Sequence, residues 1–210
     1  MAAVSTFISE KFSTKGKVNT LKCLIHLASL SPLIWLYYHA FNDGLGADPV
    51  KEVIHFTGIG AFNLLLITLL VSPLAKWRKQ GWLLQVRRLL GLYSFAYALL
   101  HLLNFIAFDL QFAWGLLLNE IIKRPYISIG MAAFIILLSL SVTSITAIKR
   151  KMGKRWQRLH NYSYLALALV AVHFYWSVKS EIIEPSIYIG LSLFLLALRK
   201  EKIKRWFNLN

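Results

Sequence analysis

The chain has 210 residues, 57% of them hydrophobic, with 24 Lys and Arg against 9 Asp and Glu and a net charge of +15. That apolar fraction is too high for an ordinary soluble domain, and the length suits a single domain spanning residues 1–210. The positive charge does not point to nucleic acid, because the basic residues lie beside long apolar runs, where membrane topology requires them.

The first apolar run, about 21–41, follows a polar stretch carrying Lys11, Lys15, Lys17 and Lys22, and is long enough to stay in the membrane as an anchor. It holds His26 at its inner end, Pro32, and His39 at its outer end. The loop "NDGLGADPV" has the Gly, Asn, Asp and Pro content of a turn. A second run, about 54–74, begins with His55 and ends before Lys76, Arg78 and Lys79. The third, about 89–108, starts after Arg87 and Arg88 and contains His101.

Between Asp109 and Pro125 the segment "LQFAWGLLLN" is too short to cross a bilayer and too apolar for water, so an interfacial helix is expected there. It would rest in the outer headgroup layer, with docking of a periplasmic partner as the alternative. The fourth run, about 126–148, leads into the basic loop of Lys149, Arg150, Lys151, Lys154, Arg155 and Arg158. The fifth, about 159–178, carries His160 and His173. The first five runs approach or exceed the roughly 20 residues that a helix needs to cross the ~30 Å hydrocarbon layer. A sixth, about 182–198, suffices only with Ile182 and Ile183 included or with local thinning of the bilayer.

The expected fold is therefore all-α: a polytopic membrane bundle of six transmembrane helices. Twenty of the 24 basic residues fall before the first run, in the two loops after the second and fourth, and in the tail. This bias places both termini in the cytoplasm. Trp77, Trp82, Trp156 and Trp206 on the inner side and Trp114 and Trp176 on the outer side form interfacial belts. The single Cys23 excludes an intrachain disulfide, and no C-x-x-C-H is present, so any haem is bound noncovalently. No internal duplication or inverted repeat is evident along the chain.

Charged residues are nearly absent from the interior of the spans, which makes the histidines conspicuous. His101 lies thirteen residues outward from Arg88, and His173 fifteen residues outward from Arg158, so both reach a depth about 20 Å from the inner end. Two imidazoles from different helices at one level suit a hexacoordinate haem b. Phe95, Leu99, Leu102, Leu169, Val170 and Trp176 are candidates for its apolar wall.

His160 sits roughly 20 Å deeper than His173, which suggests a second redox site. In a straight helix the two side chains point roughly 140° apart, so a bend or a π-bulge is expected between them. The third run offers Arg87 and Arg88 at the inner level rather than a histidine, which leaves His26 as the partner to pair with His160. His39 and His55 lie at headgroup level, solvated or bonded to a haem propionate.

The stretches "LKCLIHLASLSPLIWL", "GLGADPVKEVIHFTG", "RRLLGLYSFAYALLH", "RPYISIG" and "GKRWQRLHNYSYLALALVAVHFYW" together cover most of the chain. On these the sequence resembles the MsrQ (YedZ) family, haem-binding membrane subunits of a methionine sulfoxide reductase system, within the wider ferric-reductase-like transmembrane group. The resemblance implies haem b, one or two per chain, with His101 and His173 as axial ligands of one and His160 linked to the other. It also implies FMN, and a multi-pass location in a bacterial inner membrane. The implied route takes electrons from the quinol pool or a cytosolic flavin reductase and passes them to periplasmic MsrP, a molybdoenzyme repairing methionine sulfoxide. Membrane lipids are the remaining expected partner.

Two other classes fit the sequence less well. A self-contained ferric reductase or oxidase carries its own nicotinamide domain, and no G-x-G-x-x-G follows the sixth run in this sequence. A transporter needs midplane acids or broken helices around a pathway, for which Pro32 alone is a candidate.

Overall fold

The computed structural model describes residues 2–178 and 182–207, so Lys179 and Glu181 lie outside the described residues. Among the described residues every regular element is a helix. Helix α1 (Ala2–Phe41) is followed by α2 (Pro49–Trp77), and a 3-10 turn (Gly81–Val86) leads into α3 (Arg87–Asn104). A π-helical turn (Phe105–Asp109) closes α3 before α4 (Trp114–Lys123) and α5 (Pro125–Val142). Two short helices, α6 (Thr146–Met152) and α7 (Lys154–His160), precede α8 (Ser163–Ser177), α9 (Ile183–Ala197) and α10 (Lys200–Phe207).

Local sequence accounts for these limits. Asp48 caps α2 by accepting from the Lys51 amide at 3.0 Å, with Pro49 pre-set for the first turn. Pro125 opens α5 in the same way. Gly153, at φ 52° and ψ −125°, separates α6 from α7 in a conformation that only glycine adopts readily. Within the apolar helices, several hydroxyls are satisfied by their own backbone, as in the bonds from Thr57 to the Val53 carbonyl and from Thr68 to that of Leu64.

Among the described residues four stretches are long and apolar enough to cross a membrane: Thr14–Phe41, Pro49–Trp77, Gly81–Asp109 and Pro125–Val142. The fifth and sixth expected spans differ. Asn161 and Tyr162 form a turn that breaks the fifth into α7 and α8, leaving α8 and α9 at 15 residues each. At 1.5 Å per residue such a helix covers about 22 Å, less than the ~30 Å hydrocarbon layer. The helix expected between Asp109 and Pro125 is α4, whose Trp114, Leu116 and Ile122 are exposed.

The bundle is built around α2, which packs on α3, α8 and α9, while α5 packs on α3 and α8. Helices α3 and α8 thus occupy opposite corners of a four-helix ring. Phe62, Leu65 and Leu69 of α2 meet Leu137 of α5 and Tyr164, Leu167 and Phe174 of α8 in one buried cluster. A smaller cluster of Val71, Val86 and Leu90, with Leu21 and Ile25 against it, anchors α1. Only 11% of the apolar window of α1 is buried, against 33% for α2, and Leu24, Leu27, Ile34 and Trp35 of α1 are exposed. Tyr97 nevertheless ties α1 to α3 by donating to the Ser29 carbonyl at 2.6 Å.

Candidate functional site

His101 and His173 come from α3 and α8, with their centroids 6.2 Å apart and their planes crossing at 82°. Each donates Nδ1–H to a backbone carbonyl of the neighbouring helix: His101 to Ile54 of α2 at 2.8 Å, and His173 to Tyr126 of α5 at 2.7 Å. A proton fixed on Nδ1 leaves Nε2 as the lone-pair nitrogen, as in histidines that bind metals. An imidazole nitrogen lies about 2 Å from a bound metal ion, so two rings on opposite sides of one ion have centroids about 6 Å apart. The 6.2 Å between the two rings matches that spacing.

Glycine makes both hydrogen bonds possible. A Cβ at Gly130 would lie 2.7 Å from Nδ1 of His173, and one at Gly58 would lie 3.0 Å from Nδ1 of His101. Only a residue without a side chain lets each ring lie against the adjoining helix at this depth.

These correspondences reveal a repeat. Each histidine lies 47 residues after its carbonyl partner. A shift of 72 positions carries Ile54, Gly58 and His101 onto Tyr126, Gly130 and His173. The same shift, without gaps, pairs Phe62 with Phe134, Leu65 with Leu137, Gly81 with Gly153 and Gln85 with Gln157. The α2–α3 and α5–α8 pairs are therefore two copies of one helical unit, a duplication that inspection of the sequence had not shown. The signal was present in the G-x-x-A-F and L-L matches, but it is spread thinly through apolar runs that resemble one another by composition alone.

Of the expected wall residues, Phe95 and Val170 pack against the main cluster, Phe95 stacking on Phe134 at 5.8 Å. Leu102 and Leu169 are half-buried, while Leu99 and Trp176 face outward. His55 lies beside the outer site, 3.9 Å from Glu184 and against Phe174. His39 stays with Trp35 and Tyr38 of its own helix.

The inner histidines are placed differently. His160 ends α7, beyond the turn that separates it from α8, and stacks on Trp156 at 3.9 Å. Its Nε2 lies 3.1 Å from the Thr143 hydroxyl, which itself donates to the Ser139 carbonyl, so the imidazole is the donor. His26 instead engages the Tyr93 hydroxyl through Nδ1 at 2.6 Å. The structure brings His101 and His173 together and holds His26 and His160 in separate settings. The repeat explains why position 160 has no histidine opposite, since its counterpart is Arg88.

Residues 57–172, more than half of the chain, match the family described as ferric reductase like transmembrane component. That match takes in His101 and His160 and stops one residue before His173. With several helices able to cross a bilayer and this match over both halves of the repeat, the chain belongs to the ferric-reductase-like transmembrane family of multi-pass, electron-transferring membrane proteins.

Proposed function

We propose that this chain is the haem b subunit of a methionine sulfoxide reductase system in a bacterial inner membrane. Electrons would enter at the inner side from the quinol pool or a cytosolic flavin reductase and leave to periplasmic MsrP. The reading includes six crossings with both termini cytoplasmic, α8 and α9 spanning a locally thinned layer. The observation that carries it is the facing His101–His173 pair with both Nδ1 atoms committed to backbone carbonyls. The assignment to MsrP and the association with FMN are supported by the sequence resemblance.

Haem held there would supply one-electron chemistry at a potential set by ligand type, burial and hydrogen bonding. The chain's own contribution is positional. The carbonyls of Ile54 and Tyr126 orient the imidazoles and raise their basicity, and buried Phe62 and Phe174, with half-buried Tyr188 against them, pack one flank.

A donor is required in this scheme. Purified protein with NADPH alone is expected to stay oxidised. Adding a flavin reductase or a quinol should reduce it, and MsrP with methionine sulfoxide should reoxidise it, all followed in the haem absorption bands. Rapid reduction by NADPH alone would contradict the scheme.

A second haem at the inner level would take Nε2 of His160, which the Thr143 hydroxyl holds here. His160→Ala is expected to leave the outer haem in place while costing about 1 kcal/mol of stability from the lost hydrogen bond. Two haems per chain retained in that variant would rule out an inner ligand role for His160.

A further inference from the structure

At the inner end of the bundle, Pro73 has no N–H to give to the Leu69 carbonyl one turn earlier in α2. Arg199, between α9 and α10, fills that vacancy by donating from Nη2 at 2.6 Å. Arg199 as a residue is 5% exposed, and its Nε has no hydrogen-bond partner among the described residues. One backbone carbonyl satisfies one donor and leaves the charge uncompensated.

Among the described residues Arg199 forms no ion pair with a carboxylate. The two ion pairs among the described residues are His55–Glu184 and Arg124–Glu120, both at the outer end. What surrounds Arg199 is more positive charge: Arg87 of α3 and Lys202 of α10 each lie within electrostatic reach of it and of each other, and Lys76 of α2 reaches Lys202. Partial burial and the neighbouring Arg199, Arg87, Lys76 and Arg205 charges hold the Lys202 ammonium below its usual range. A buried guanidinium flanked by like charges is costly unless an anion joins it.

We infer that Arg199, Arg87, Lys202 and Lys76 form a binding site for a phosphate group at the inner membrane face. The planar guanidinium offers its unused donors to phosphate oxygens, and the lysines add point charges where the site meets the headgroup layer. The phosphate comes either from an anionic phospholipid or from a free phosphate compound, a point independent of the haem reading.

The test uses delipidated full-length protein and its tryptophan fluorescence during thermal unfolding. In one arm inorganic phosphate is added against chloride at equal ionic strength. In the other, nanodiscs of phosphatidylglycerol are compared with nanodiscs of phosphatidylcholine. Wild type should gain several degrees in at least one arm, since a ligand bound only by the folded state stabilises it. A gain with inorganic phosphate identifies a free phosphate compound, and a gain with phosphatidylglycerol alone identifies lipid. Arg199→Gln should abolish the gain and Lys202→Gln should at least halve it, whereas Lys17→Gln, exposed on α1, should retain it. If Arg199→Gln does not fold, Lys202→Gln decides. No gain in wild type, or a full gain in Lys202→Gln, would overturn the site.

Discussion

Replacing His173 by alanine is expected to reduce outer haem to below a tenth of the wild-type content, and His101→Ala is expected to do the same. No covalent thioether can hold a porphyrin in this chain, because Cys23 is its one cysteine and sits exposed on α1. Retention then depends on two axial bonds and on apolar contact. The two substitutions should be equally severe, since Ile54–Gly58–His101 and Tyr126–Gly130–His173 are the same arrangement used twice. Haem-to-protein ratios on monodisperse material measure this directly. Loss in one variant with full retention in the other would show that the two histidines do not share one haem.

The second large effect is expected at a position with no chemistry of its own. In Gly130→Ala the new methyl would stand 2.7 Å from Nδ1 and 2.8 Å from Cε1 of His173, closer than van der Waals contact permits. Either α5 moves away from α8 or the ring rotates off the Tyr126 carbonyl and loses its orientation. Overpacking of this kind costs about 1–3 kcal/mol, and here the strain falls on the ligand itself. Gly130→Ala should therefore lower both the unfolding temperature and the haem content, with a shifted reduction potential in what haem remains. Gly58→Ala, where the corresponding distance is 3.0 Å, should show a smaller change of the same sign. Spectroelectrochemical titration of the two variants beside wild type checks the order. An unshifted potential in Gly130→Ala would mean that the ring is not held against α5.

Much of this was legible from the residues. The common depth of His101 and His173 followed from counting outward from Arg88 and Arg158, because helix rise is constant and the charges mark the membrane edge. The need for a bend between His160 and His173 followed from helical rotation, and the turn at Asn161–Tyr162 provides the break. Other features depended on packing that no single stretch encodes. The roles of Gly58 and Gly130 emerge only when the facing ring is in place, 43 residues further along each unit. Arg199 reads as one of several basic residues in a tail, and its burial against Leu69 depends on a proline in a helix far away in sequence. Hydropathy alone likewise suggested a continuous fifth span, where the structure has a short α7 carrying His160 outside the main cluster.

Electron paramagnetic resonance of the oxidised, purified protein tests the central claim most directly. Two imidazoles across one ferric ion, with planes at 82°, should give a low-spin signal of high anisotropy, distinct from that of parallel ligand planes. A high-spin signal, denoting a single axial histidine, or the absence of any haem signal in protein produced with ample haem, would contradict the account.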